Sequence, residues 1–212
     1  PGLRARGIAT PPRGASPIEL LDRLGVLRAR PLLIHVVDAD PADIGRIADS
    51  GSSVAHCPTA NARLGHGVAP VPELRAAGVA VGIGTDSVGS NNRLDLLEEA
   101  RTASLLQRAT LRRPDVLPAG ELLRMVTLDG ARALGLEDRV GALEPGRDAD
   151  LCAVSYNQPH ARPVHDPLAA LFHSARGSDV VLTVVRGRTL YAGGRVLTLD
   201  EEAAHAALEA SA

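Results

Sequence analysis

The sequence has only two cysteines, Cys57 and Cys152, far apart and in no CxxC or Cys/His spacing. That excludes a disulfide framework and a zinc finger, and it suits a reducing compartment. No run reaches the roughly 18 apolar residues of a membrane span, and Pro1-Gly2-Leu3-Arg4-Ala5-Arg6 leads into no apolar stretch of signal-peptide type. The expected compartment is therefore the cytoplasm. Neither sign of charge is in surplus: 23 basic and 25 acidic side chains are interspersed, for a net charge of −2. Without a basic or acidic footprint, nucleic acid and anionic membranes are not expected partners, and a small, roughly neutral molecule is. The first residue is not Met, which fits processing, an artificial start or a chain that begins within a longer gene product.

The chain has 212 residues, 45% of them hydrophobic and 23% charged, as in an ordinary globular protein with a sizeable core. An opening segment rich in Gly, Pro and Arg, to about Pro17, shows no period and reads as loop or tail. Ser16-Pro17-Ile18-Glu19 then predicts a capped helix with a capping box, ending at Gly25. Pro31 to Val37 is a short, branched, apolar run of the kind that makes a strand buried on both faces. Asp40-Pro41 opens a helix that Gly51 closes. Ser53 to Cys57 reads as a strand broken by Pro58, followed by a loop carrying Asn61, Gly65 and Gly67.

A short helix over 72–77 ends at Gly78, and Val79 to Gly84 is a third strand that leads into Thr85-Asp86-Ser87. Strands alternating with helices at this spacing predict right-handed βα units and a parallel sheet. From Arg93 to about Arg113 the pattern is helical, with Leu94, Leu97, Ala100, Leu105 and Leu106 near one face and Glu98, Glu99, Arg101 and Gln107 elsewhere. Shorter helices follow over 119–125 and 129–134. Beyond Val140, glycines punctuate short apolar runs such as 151–154 and 180–185, which predict antiparallel structure with a hairpin turn at Tyr191-Ala192-Gly193-Gly194-Arg195.

Ligands of parallel α/β proteins bind at the carboxyl ends of the strands. His35, His56 and Asp86 all fall at or near such ends, which points to one shared site. A carboxylate at Asp86, followed by Ser87, Ser90, Asn91 and Asn92, could bind a divalent cation and accept a proton from water. It could equally cap a helix starting near Asn92. His35 suits metal or substrate binding, or a core histidine satisfied by a backbone carbonyl, and His56 divides the same way. His66 reads as exposed, and His160, His165, His173 and His205 as surface or structural. Cys57 reads as a small buried hydrophobe and not a nucleophile. Gly82-x-Gly84 is no dinucleotide fingerprint, since the third Gly would fall on Ser87.

Three stretches stand in order: Leu33-Ile34-His35-Val36-Val37-Asp38, then Ser53 to Asn61, then Gly82-Ile83-Gly84-Thr85-Asp86-Ser87 continuing through Ser90-Asn91-Asn92 to Asp95 and Glu98-Glu99. With Thr127 to Gly135 and Val140 to Leu151, they resemble the cytosine-deaminase-like branch of the amidohydrolase superfamily. That branch includes adenosine-type and S-adenosylhomocysteine or methylthioadenosine deaminases and triazine chlorohydrolases. The resemblance implies an α/β fold, the C-terminal part of a TIM-type (β/α)8 barrel containing strands six to eight, followed by part of a small β-sandwich. The corresponding division is 1–139, 140–199 and a helical tail over 200–212.

The resemblance further implies that Asp86 is a metal ligand and proton acceptor, and that His35 holds or polarises the water or the leaving-group region. Ser90 and Asn61 would contact substrate, and His56 would be architectural. The implied metal is a divalent ion, zinc, with iron as the alternative. The family's first-strand HxH pair and its fifth-strand His with a Glu three residues on are both absent from this sequence. By the barrel's repeat the second would lie about 30 residues before His35. The expectation is thus a chain lacking the N-terminal ligands and inactive alone, from a parent that deaminates an aminated purine. The alternatives are a non-catalytic subunit that completes a barrel with a separate N-terminal chain, and a triazine-type chlorohydrolase. A homodimer is a further expected partner.

Overall fold

Ser16 takes an extended backbone and its hydroxyl accepts the Glu19 amide at 2.9 Å, which starts helix α1 (Pro17–Arg23). The reciprocal half of the expected capping box does not form, because the Glu19 carboxylate turns forward to pair with Arg23. The computed structural model describes residue 7 and residues 14–211. Most of the segment read above as an opening loop or tail lies outside the described residues.

After a 3-10 turn over Val26–Ala29 the order is β1 (Leu32–Ile34), α2 (Pro41–Ser50), β2 (Ser53–His56), α3 (Pro58–Arg63), α4 (Val71–Ala76), β3 (Val81–Ile83) and α5 (Val88–Asn91). Next come α6 (Leu96–Leu111), α7 (Ala119–Val126), α8 (Leu128–Ala133), β4 (Leu151–Val154), α9 (Pro167–His173), β5 (Val180–Val185), β6 (Arg188–Ala192), β7 (Arg195–Val196) and α10 (Glu201–Glu209). The strands β1, β2 and β3 are parallel neighbours in chain order, as the βα alternation predicts. No described helix is long and apolar enough to cross a membrane.

Register explains the core. Leu33, Val54 and Val81 stand side by side across the sheet and are all buried, together with Ile44 and Ile47 of α2, Val71 and Leu74 of α4, Ala100 and Ala103 of α6, and Leu122 and Met125 of α7. On the opposite face, α8 lies directly on β2 and β3. The Ser53 hydroxyl donates to the Ala133 carbonyl at 2.8 Å, and a Cβ at Gly82 would come within 2.9 Å of the Gly130 Cα. Gly82 therefore permits the close helix-to-strand approach. A buried Asp129 fastens α8 to its surroundings through Arg75 at 2.8 Å and Arg124 at 2.9 Å.

Four expectations need correction. The first strand is not buried on both faces: Leu33 is covered, whereas Leu32 and Ile34 are 38% and 56% exposed. β1 is an edge strand, and α8 lies against β2 and β3. The same strand stops at Ile34, because His35 and Val36 turn into positive φ. Pro58 does not lead into a loop but sits at the first turn of α3, where its missing N–H costs nothing. Finally, α6 buries Glu99, Ala100, Ala103, Ser104 and Gln107, while Leu105 is 54% exposed. The small and polar face is the inner one because it hydrogen-bonds neighbouring loops: Ser104 donates to Leu117 O and Gln107 to Ala69 O.

The second sheet is antiparallel in the order β4-β5-β6-β7. Its last turn is at Gly193-Gly194, both at positive φ, which suits a two-residue hairpin. Between β4 and β5 the chain returns to the first unit. There α9 packs on α6 and α7, and Phe172 joins the main core. Arg101 of α6 holds that excursion through its hydrogen bonds to the Phe172 and Ala175 carbonyls.

Candidate active site

The loops after β1 and β3 bring His35 and Asp86 together at the strand ends. Each takes a left-handed backbone, at φ 72° and 59°, which swings its side chain out of the strand direction. His35 Nε2 lies 3.9 Å from Asp86 Oδ2. This is too far for a direct hydrogen bond and close enough for both to touch one small group between them. Both side chains are about one-third exposed, so the pair is open to solvent.

Asp86 is tightly held. Oδ2 accepts the Ser90 hydroxyl at 2.8 Å, and Oδ1 accepts the Ser87 amide at 2.8 Å. These donors, the Ser90 hydroxyl first, push its pKa below the ordinary carboxylate value, with a smaller contribution from His35. The carboxylate is therefore an anion at neutral pH. It does not cap the long helix. That helix starts at Leu96, and Asp95 caps it, accepting from the Leu97 and Glu98 amides.

Asn61 is elsewhere. It is buried in α3 with no hydrogen-bond partner on its amide, so no hydrogen bond joins it to His35, Asp86 or Ser90. His56 ends β2 and is also buried, with both ring nitrogens unpartnered. Burial, and after it the proximity of His35, pushes its pKa from about 6.5 down to about 4, so this ring is neutral. Cys57 beside it is raised to about 11 by burial and by the charges of Asp86 and Glu99, so it is an inert thiol. His66 is exposed.

A pH dependence follows from His56. Between pH 6.5 and 4 the unfolded chain protonates this ring and the folded chain does not, so the unfolded state binds more protons and stability falls with falling pH. The effect is absent above 6.5, builds as the pH falls, and reaches about 3 kcal/mol near pH 4. Urea unfolding at pH 7.5, 5.5 and 4.5 should show this slope, and His56→Gln should flatten it. Parallel profiles for the two proteins would contradict it.

Sequence reasoning grouped Asn91 with the polar residues that follow Asp86 but missed Glu99 as its partner. The Asn91 amide donates to the Thr85 carbonyl at 2.6 Å and to Glu99 Oε1 at 2.7 Å, and Glu99 Oε2 accepts the Thr59 amide at 3.1 Å. One available signal was spacing: Glu99, Ala103 and Gln107 recur every four residues, on a face that would be apolar if it met only other side chains.

The donor set fits one side of a divalent-metal site. Asp86 offers an ionised oxygen and His35 an imidazole, but no cluster of three His, Cys, Asp or Glu side chains exists among the described residues. Zinc usually takes three or four protein ligands. The pair could complete such a site and does not make one by itself.

The sequence pattern of the Amidohydrolase family matches residues 6–190. The 5-methylthioadenosine/S-adenosylhomocysteine deaminase of Moorella thermoacetica is 48% identical over 193 residues, covering 91% of this chain and 45% of that protein. Among solved structures, an adenosine deaminase from Xanthomonas campestris with bound zinc superposes with a TM-score of 0.90 at 36% identity, covering 93% of this chain and 45% of the other. An atrazine chlorohydrolase from Arthrobacter aurescens complexed with zinc gives 0.85 at 33% identity, covering 93% and 44%. The chain thus spans a little under half the length of the relatives it matches.

Proposed function

Because the chain belongs to the amidohydrolase family, we propose that the full-length protein is a zinc-dependent deaminase. It would act on an aminated purine nucleoside of the methylthioadenosine or S-adenosylhomocysteine type. Water replaces the exocyclic amino group, the ring carbon gains oxygen, and ammonia leaves. The observation that supports this is the ionised Asp86 carboxylate, gripped by Ser90 and Ser87 and facing His35 across 3.9 Å at the ends of parallel strands. The strands β1, β2 and β3 would be the sixth, seventh and eighth of a TIM-type barrel.

In this reading Asp86 accepts the proton that water loses on attack, and His35 orients water or the departing amine from the opposite side. Bound zinc supplies a Lewis acid that makes water acidic near neutral pH. Asp86 and His35 are the residues of this chain that would face it. Ser90 does double duty, holding Asp86 and reaching toward substrate, whereas Asn61 is too enclosed to act without a rearrangement. The uncovered β1 edge, with Leu32 and Ile34 exposed, is where complementary strands would dock, and they would bring the remaining ligands.

The test is to load the full-length protein with zinc and measure ammonia from methylthioadenosine, S-adenosylhomocysteine and adenosine, and chloride from atrazine. Ammonia from the purines is expected. Chloride alone would favour the chlorohydrolase reading, and neither product would leave only a structural role.

A further inference from the structure

Glu99 is a carboxylate in the wrong place for stability alone. It is 2% exposed on α6, and no arginine pairs with it among the described residues. Its recorded partners are two neutral donors, the Thr59 amide at 3.1 Å and the Asn91 side chain at 2.7 Å. Burying a charge on neutral donors is costly, and an apolar residue of similar volume would often serve a core better. What the carboxylate does here is join two loops. Thr59 lies in the first turn of α3, after β2, where backbone N–H groups lack helical partners and favour an anion. Asn91 ends α5, after β3.

Asn91 carries the link onward. Its amide nitrogen donates both to Glu99 and, at 2.6 Å, to the carbonyl of Thr85, the residue immediately before Asp86. Asp86 itself sits at φ 59°, in the left-handed region that aspartate enters more readily than most residues but that few non-glycine residues adopt, so its aim depends on the hydrogen bonds around it. A change in the Thr85 peptide would re-aim the Asp86 carboxylate away from His35 Nε2. Ser90, the other holder of Asp86, lies in the same four-residue helix as Asn91, so the bridge fixes that donor too.

We infer that Glu99 is a positioning residue, acting through Asn91 and the Thr85 carbonyl to aim Asp86 at His35. The inference rests on the deaminase reading only for its kinetic consequence. Glu99→Gln keeps the shape but must place an N–H against either the Thr59 amide or the Asn91 amide, since Asn91 cannot flip without setting its oxygen against Thr85 O. One arm of the bridge is therefore lost.

The experiment uses the zinc-loaded full-length protein and reads two quantities, steady-state kinetics with methylthioadenosine and amide hydrogen exchange by mass spectrometry. For Glu99→Gln, kcat should fall about 10- to 100-fold, with KM nearly unchanged, as for other groups that orient a ligand from behind. Exchange over residues 84–92 should speed up about tenfold, while 44–50 and 180–192 keep their protection. Asn91→Ala, which leaves the Glu99–Thr59 contact in place, should reproduce both effects and covers the case in which the first variant folds poorly. Unchanged exchange over 84–92, or an even loss of protection along the whole chain, would overturn the inference. If the wild-type protein releases no ammonia, the deaminase reading fails, and the exchange arm still decides the positioning role.

Discussion

Asp86→Asn in the zinc-loaded full-length protein is expected to lower kcat for the purine substrate about 1000-fold while leaving the fold intact. Asparagine is nearly isosteric, so its oxygen can still accept from Ser90 or from the Ser87 amide. What disappears is the negative charge, and with it both the proton acceptor and the anionic oxygen for a cation. Loss of a positioned base alone costs about 100- to 10,000-fold, which sets the scale. Asp86 is exposed, so the melting temperature should move little. The pH profile adds an independent check. Because Ser90 and Ser87 hold the Asp86 pKa below the ordinary carboxylate value, the wild-type rate should stay insensitive to Asp86 protonation until the solution is more acidic than a free aspartate would tolerate. Ammonia release that survives the substitution undiminished would sink the assignment.

His35 and Asp86 were legible because both fall at or near the carboxyl ends of short apolar runs, and the physics that buries a strand interior leaves polar residues at its rim. Their partners were much harder to read. Helical periodicity finds buried positions by apolar character, so it sent Glu99 and Gln107 to the outer face of α6 and Leu105 to the inner one. The structure reverses this because the inner face meets loop backbone, and Gln107 satisfies the Ala69 carbonyl, a partner remote in sequence. Nothing local to residue 99 announces that Thr59 needs an acceptor there. Asn61 shows the converse: its neighbours matched a pattern, yet α3, started by Pro58, buries its side chain.

The fold divides along similar lines. The α2 helix was readable to the residue, since Asp40 accepts the Asp43 amide at 2.8 Å and Gly51 supplies the left-handed stop. The parallel order of three strands followed from the βα alternation. The end of β1 did not, because Val36 and Val37 have strand character and Val36 nonetheless sits at φ 49°, where the loop carrying His35 requires it. Coverage of β1 was misjudged for a different reason. An unbroken apolar run shows what a strand can bury, not which neighbours are there to bury it.

The sole phenylalanine of the chain marks another contact that periodicity does not show, and Phe172→Ala is expected to destabilise the protein by about 3–5 kcal/mol. Phe172 is fully buried, although it lies between two strands of a sheet whose own residues are half-exposed. Its helix, α9, packs on α6 and α7, so the ring belongs to the core that also holds Leu122 and Met125. Truncation removes both the buried area and the matching wall. The hydrogen bonds from Arg101 to the Phe172 and Ala175 carbonyls keep α9 in place, so the cavity cannot fully collapse and the cost stays near the upper part of the range. Phe172→Leu, which keeps most of the volume, should cost about 1.5 kcal/mol or less. Equilibrium urea unfolding compares the two: a lower midpoint at constant slope for both, far lower for alanine. If alanine costs no more than leucine, the ring does not join the excursion between β4 and β5 to α6 and α7. If both reduce the slope, that excursion unfolds separately from the parallel sheet, and α9 is an attached flap instead of a shared piece of core.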